Sequence, residues 1–359
     1  MDDDEMRIGI VDADLLDKGT RFPNLVCMKL SAYHKHCGHN VDLLLDYNNV
    51  KDYDKVYIVK VFSKTSVPID LAQPNIEYNG TGFFYDNAVP LPSRIEHTMP
   101  DYTLYETWLQ NNVVSKNTRS YYEDYSIGYT TRGCFRHCSW CVNRNSDEVM
   151  VNSPVSEFLN KKRKRISMLD DNVLGYTRWE KVFEDLQSTG KYFVFRQGLD
   201  LRCLTEHKAE VLAESKYYKD YIFAFDDEKD ETAIRQKLKL WRSYSHKGTK
   251  LYTLTAFKSI CVNDIDNLFK RFWILAEYQC VPYVMRFEGW ERSEHRGMYI
   301  TIARWAIQQK FYKKMSFREF CEADIKAPSA LGYLRKFEKK YPEIAKKHFD
   351  RRYSDFSCL

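Results

Sequence analysis

The chain has 359 residues, 44% of them hydrophobic, which suffices for one large domain or two ordinary ones. Its net charge of +5 is mild and permits a nucleic-acid partner without requiring one. No apolar run approaches the roughly 20 residues that span a bilayer. The acidic stretch 1–5 lacks the basic start of a secretory signal. Ten cysteines in such a chain point to metal or reduced thiols rather than disulfides, so a cytoplasmic protein without a membrane segment is expected.

Residues 6–14 read as a buried strand ending in acids. Residues 23–37 read as a helix, with Pro23 in its first turn and Gly38 just past its end. Two further apolar strands follow at 40–47 and 55–62, which is the opening of a parallel α/β sheet. This opening resembles the cobalamin-binding-like domain that precedes many radical S-adenosylmethionine (SAM) cores. The cobalt-ligating pattern there is DxHxxG. The matching window is Asp14-Leu15-Leu16-Asp17-Lys18-Gly19, with Leu16 at the histidine position. Leucine cannot ligate cobalt, so cobalamin is not expected. Residues 1–70 read as a degenerate, Rossmann-like parallel α/β lobe that binds substrate or a partner, or is purely structural.

Residues 71–120 read as a linker, with Pro90, Pro92, Pro100 and the run Gly80-Thr81-Gly82. Two glycines around a threonine could cradle a phosphate, but a joining loop is the better reading. The segment 91–97, followed by Pro100-Asp101-Tyr102, resembles the linker of radical SAM proteins of the cobalamin-domain type. His97 reads as a packed or capping residue.

The stretch 129–145 reads YTTRGCFRHCSWCVNRN, and Cys134, Cys138 and Cys141 stand in the spacing CxxxCxxC with Trp140 before the third. Three thiolates on one loop can hold three corners of a [4Fe–4S] cube and leave the fourth iron open to a small molecule. Gly133 allows a tight turn beside them. Zinc with a distant fourth ligand competes, although the paired CxxC units of structural zinc sites are missing. Ordinary buried thiols compete less well, because the loop is polar. The spacing and the aromatic residue resemble the radical SAM superfamily. The resemblance implies that the open iron binds SAM, that the cluster cleaves it to a 5′-deoxyadenosyl radical, and that the radical removes hydrogen from a substrate. It also implies Trp140 beside the adenosine, with core packing as the alternative, and a flavodoxin- or ferredoxin-like reductant protein.

From residue 126 strands and helices alternate. Strands are expected at 126–131, 165–169, 192–196, 221–225, 250–257 and 281–287. A short helix is expected at Ser153-Pro154. Others begin at a capping box on Thr177 and Glu180, after Thr205, over 231–244, and after Asn263. Residues 121–290 thus read as a partial (βα)6 TIM barrel, the fold the resemblance implies. Residues 291–359 read as a C-terminal helical extension, with a helix over 298–314, a capping box on Ser316 and Glu319, and a basic helix broken at Pro342.

Functional groups in such barrels gather after the strand ends. That rule names Asp170, Asp171 and Asn172 after strand two, where the family meets the SAM amino group. It names Arg196, Gln197, Asp200 and Arg202 after strand three, suited to the SAM carboxylate and ribose. Asp226 and Asp227 follow strand four, Thr253, Thr255 and Ala256 lie at strand five beside the adenine edge, and Arg286 and Glu288 follow strand six. Arg202 could instead pair with Asp200 or Glu206, and Asp226-Asp227 could merely open a helix. The basic runs 161–165 and 336–352 read as solvated faces, so nucleic acid is permitted but not favoured. Cys203, Cys261, Cys280, Cys321 and Cys358 show no ligand spacing. Cys27 and Cys37 supply too few ligands for a second cluster, which argues against the tRNA methylthiotransferases. The rivals are a radical SAM methylase or nucleic-acid-modifying member, a zinc-binding interaction module, and an iron–sulfur electron carrier. No substrate-binding motif is readable.

Overall fold

The computed structural model describes residues 5–19, 22–323 and 329–356. Cys358 and the acidic start before Glu5 lie outside them. The chain divides into two compact units, Met1–Phe193 and Val194–Leu359.

Unit 1 opens with β1 (Arg7–Asp12), α1 (Ala13–Lys18), α2 (Leu25–His36), β2 (Asn40–Leu43), β3 (Lys55–Val59) and β4 (Ile76–Asn79). The four strands form one sheet in the order β2-β1-β3-β4, each pairing parallel. Side chains alternate between its faces. Ile8, Ile10, Tyr57 and Val59 enter one apolar cluster, and Val11, Val56 and Ile58 enter the other. Burial on both faces explains why β1 and β3 read as near-continuous apolar runs. The Asn24 side chain accepts from the amides of Val26 and Cys27 to start α2, and Gly38 ends it at φ 86°.

β4 is a difference from the sequence reading, which left it inside the linker. Its I-E-Y-N pattern is polar because it is the sheet's edge strand, with no fully buried residue. The same linker carries α3 (Thr81–Phe84), α4 (Ser93–Glu96), α5 (Glu106–Asn111) and α6 (Lys116–Glu123). Ile95, Leu104, Tyr105, Leu109 and Tyr122 cover one face of the sheet, so this segment belongs to the lobe's core.

β5 (Tyr125–Gly128), β6 (Thr131–Arg132), β7 (Met150–Val151), β8 (Arg165–Met168), α7 (Trp179–Ser188) and β9 (Tyr192–Phe195) follow. A second sheet runs β5-β8-β9, with β5 and β8 parallel, and the division between the units falls within β9. The expected first strand stops early: Thr131 and Arg132 leave it to pair antiparallel with β7. The cap on Thr177 is not formed. Arg178, not Thr177, is the N-cap of α7, and it carries no side-chain cap; the Trp179 amide bonds the Tyr176 carbonyl.

Unit 2 contains α8 (Glu206–Glu214), β10 (Tyr221–Ala224), α9 (Glu231–Tyr244), β11 (Thr249–Thr255), α10 (Val262–Glu277) and β12 (Val281–Arg286). Its three strands lie parallel in the order β10-β11-β12. The helical end comprises α11 (Arg296–Ile307), α12 (Gln309–Tyr312), α13 (Phe317–Ala323), α14 (Ser329–Lys340) and α15 (Pro342–His348). The expected helix over 298–314 is interrupted at Gln308, whose ψ of 94° is not helical. The capping box before α13 is formed in both directions: the Ser316 amide donates to Glu319, and the Glu319 amide donates to the Ser316 hydroxyl. Phe269 and Phe272 of α10 pack against Trp305 of α11 and against Phe317 and Phe349, so the extension rests on α10. Both basic runs are engaged in ion pairs or internal bonds: Lys164 with Asp124, Arg163 with two main-chain carbonyls, Lys340 with Glu294 and Arg352 with Glu319.

Candidate iron–sulfur site

The cysteine loop is tied off at its base by the β6–β7 ladder, and the Asn152 amide adds a bond to the Thr130 carbonyl. Inside the loop the Cys141 amide bonds the Cys138 carbonyl at 2.8 Å, and two further turns follow at Arg144 and Ser146. His137 sits at φ 48° and its Nδ1 meets the Arg144 carbonyl at 2.8 Å. Gly133 is at φ 93°, and a Cβ there would come within 2.4 Å of the Glu148 carbonyl. The glycine is therefore required both by backbone conformation and by the close passage of the returning chain.

The expected residues after β8 support this loop directly. Asp170, 1% exposed, accepts from the amides and hydroxyls of both Thr130 and Thr131. Burial pushes its carboxyl up to about 6 against those bonds. Asp171 accepts from the Gly133 amide at 2.9 Å, and burial raises it as well. Asn172, 2% exposed, donates from Nδ2 to the Cys134 sulfur at 3.4 Å, while its Oδ1 is buried with no hydrogen-bond partner among the described residues. The Asn143 amide lies 3.4 Å from the Cys141 sulfur. The three cysteines are half-buried, and none of the nine described cysteines is in a disulfide.

This donor set fits an iron–sulfur cluster: three thiols on one loop, two of them already facing N–H groups, beside a buried acceptor awaiting a donor. Among the described residues no three His, Cys, Asp or Glu side chains converge on a single ion. A cube does not ask for that, since each thiolate takes a different corner.

One support is invisible in the sequence. Asp86 accepts from Arg144 at 2.6 Å and from Asn145 at 3.0 Å, and the Tyr85 hydroxyl donates to the Trp140 carbonyl. Burial alone would raise Asp86, but the Arg144 guanidinium and neighbouring donors hold its carboxyl below the usual range. A tyrosine and an aspartate more than 50 residues upstream carry no local pattern that announces this role. Trp140 itself is half-buried.

The remaining candidates lie in unit 2. Gln197 is exposed. Arg202 donates to Asp200 and to Asp230, each at 2.8 Å, which realises the salt-bridge alternative for Asp200. Thr255 is buried and donates to Asp264 at 2.5 Å. Asp264 also accepts from the Ala256 amide and the Tyr299 hydroxyl, which holds Ala256 at φ 62°. Asp226 accepts from the Leu254 amide, Asp227 pairs with Lys258, and the Arg286 guanidinium lies over Trp290.

In the first lobe the DxHxxG-like window is the short helix α1, and Leu16 packs into an apolar cluster. The window does not fit a cobalamin that needs an axial imidazole. Gly82 donates its amide to the Lys60 carbonyl, and a Cβ on Gly80 would meet that carbonyl at 2.2 Å, so the glycines serve chain packing. His97 faces Glu157 at 2.8 Å and ends α4, as a capping residue would.

No family model matches the chain, and no curated protein matches it in sequence. Solved structures that resemble it include two of one enzyme. The first is a radical S-adenosylmethionine methyltransferase, TsrM, from Kitasatospora setae with tryptophan substrate and a SAM analogue bound. It has 11% identity and a TM-score of 0.46, over 73% of this chain and 71% of that one. The second is TsrM with cobalamin and a [4Fe-4S] cluster bound. It has 10% identity and a TM-score of 0.46, over 79% and 72%.

Proposed function

We propose that this chain is a radical SAM enzyme in which Cys134, Cys138 and Cys141 hold three corners of a [4Fe–4S] cluster. The observation that carries the reading is the loop itself. Its three thiols follow the first strand of a βα series, and its base is latched to the acids that follow the second. When bound, the cluster and SAM supply reductive cleavage to a 5′-deoxyadenosyl radical that abstracts hydrogen from a substrate.

The protein's own residues then have separate tasks. Asp170 and Asp171 fix the loop's entry at Thr130, Thr131 and Gly133. The buried Oδ1 of Asn172 is an acceptor suited to the SAM ammonium, and Trp140 is suited to the adenosine. In unit 2, Gln197, Asp200 and Thr255 follow or end strands in the chain order that a partial (βα)6 barrel asks for, and they suit ribose and adenine contacts. Arg202 suits the SAM carboxylate, which would compete with Asp200 and Asp230 for its guanidinium. Cobalamin held by an axial histidine is not part of the proposal. A flavodoxin- or ferredoxin-like protein supplies the electron, and a reducing, cytoplasmic setting suits the cluster. Among the described residues no helix is long and apolar enough to cross a membrane.

The test is anaerobic reconstitution with iron and sulfide, followed by electron paramagnetic resonance of the reduced protein with and without SAM. The expected result is a [4Fe–4S] signal that shifts when SAM is added and is lost in Cys138→Ala. Zinc without iron, or a cluster indifferent to SAM, overturns the proposal.

A further inference from the structure

Asn172 stands where an asparagine ordinarily caps a turn, just before the 3-10 turn Val173–Gly175, yet its side chain makes no capping bond. The amide is turned instead toward Cys134, with Nδ2 3.4 Å from the sulfur. Its carbonyl is left buried with no partner among the described residues, an arrangement that packing alone disfavours. A ligating thiolate has no proton to give, so toward Cys134 as a cluster ligand the amide's donor side is the one that suits it.

Gly175 keeps space for this arrangement. A Cβ there would lie 3.0 Å from Asn172 Nδ2 and 2.6 Å from Phe135 Cε1. Its φ lies outside the left-handed region, so the requirement for glycine is one of space. The sulfur contact from Asn143 to Cys141 comes from the main chain and survives side-chain substitution. The Asn172 contact can therefore be removed without disturbing it.

We propose that Asn172 is a positioning residue that sets the reduction potential of the cluster at its Cys134 corner. This deepens the radical SAM reading and rests on it. Reduction adds one electron to the cluster and its thiolates, and an N–H aimed at a ligand sulfur stabilises that added charge. Removing the donor makes the cluster harder to reduce.

The test compares wild type with Asn172→Leu, Asn172→Asp and Gly175→Ala. Each is reconstituted anaerobically and titrated with dithionite against redox dyes, and the reduced cluster is counted by electron paramagnetic resonance. At the wild-type midpoint, Asn172→Leu and Gly175→Ala are expected to show a reduced-to-oxidised ratio on the order of tenfold lower, or about 59 mV for one electron. Asn172→Asp keeps the side chain's shape and is expected to fall further, because it sets a negative charge beside the sulfur. Any cluster-loaded variant that titrates at the wild-type midpoint overturns the proposal. Variants that fail to load while melting like wild type place Asn172 in cluster assembly, which overturns it equally. A wild type that takes up no cluster instead sinks the reading beneath. That outcome is distinct from a SAM-responsive cluster whose potential the variants leave unmoved.

Discussion

Asp170→Ala probes the foundation of the site. The carboxylate accepts the Thr130 amide at 3.1 Å, the Thr131 amide at 2.7 Å, and both hydroxyls. After truncation the hydroxyls can rotate toward other acceptors. The two amides cannot, because the β6–β7 ladder fixes their backbone. Two buried, unmet N–H groups cost about 1–3 kcal/mol each, so the expected loss is about 4 kcal/mol. That is a large share of the roughly 5–15 kcal/mol that stabilises a domain. For a unit of this size it lowers the melting transition by about 8–16 °C. The assay is calorimetry of the apo-protein without SAM. A carboxylate whose task was to meet SAM would leave the apo transition in place and weaken SAM binding instead. An apo transition within about 2 °C of wild type refutes the latch.

Three further outcomes follow from the same geometry. Gly133→Ala forces a left-handed backbone on alanine and drives its Cβ into the Glu148 carbonyl, so cluster loading is expected to collapse while far-ultraviolet circular dichroism holds; normal loading contradicts this. Asp12 and Asp170 are both pushed up to about 6 by burial, so between about pH 4 and 6 the folded chain keeps protons that the unfolded chain has released. The contribution of these two groups to stability therefore falls as pH rises through that window, by about 3 kcal/mol per group, and is level above it; urea midpoints of wild type and Asp170→Asn that run parallel from pH 4 to 7 would show the Asp170 share to be absent. Ser316→Ala removes the hydroxyl that meets the Glu319 amide and should cost about 1 kcal/mol in urea unfolding, against no change if the box is ornamental.

What could be read from sequence was whatever local chemistry dictates. From β8 to β12 strands alternate with helices as expected, because each buried strand needs a run of apolar side chains and each helix a periodic face, whereas the helix expected at Ser153-Pro154 is only the 3-10 turn Val155–Glu157. The capping box on Ser316 was legible because both partners lie within four residues. The one on Thr177 is not formed, because α7 starts one residue later, with Arg178 rather than Thr177 at its N-cap. β4 was missed because an edge strand needs little apolar surface. Asn172 was legible as a polar group after a strand, but its aim at Cys134 depends on a contact 38 residues away. Tyr85 and Asp86 were silent for the same reason.

The first lobe shows how a local departure and a tertiary contact reinforce each other. In an open parallel sheet ordered β2-β1-β3-β4, the crevice for ligands lies outside the carboxyl ends of β1 and β3. Main-chain amides at such a point commonly meet anionic groups. Here Asp14, just after β1, accepts the Val61 amide at 2.7 Å, the Phe62 amide at 3.3 Å and the Thr65 hydroxyl at 2.5 Å. The chain's own carboxylate thus occupies the place of an anionic ligand, two residues before Leu16. The side chains of Val61 and Phe62, about half exposed at 48% and 59%, are what this edge presents instead. A phosphate-bearing ligand would have to displace Asp14 from a buried, triply bonded position, which makes an anion-binding role for this crevice costly on the same grounds that make the Asp170 latch strong.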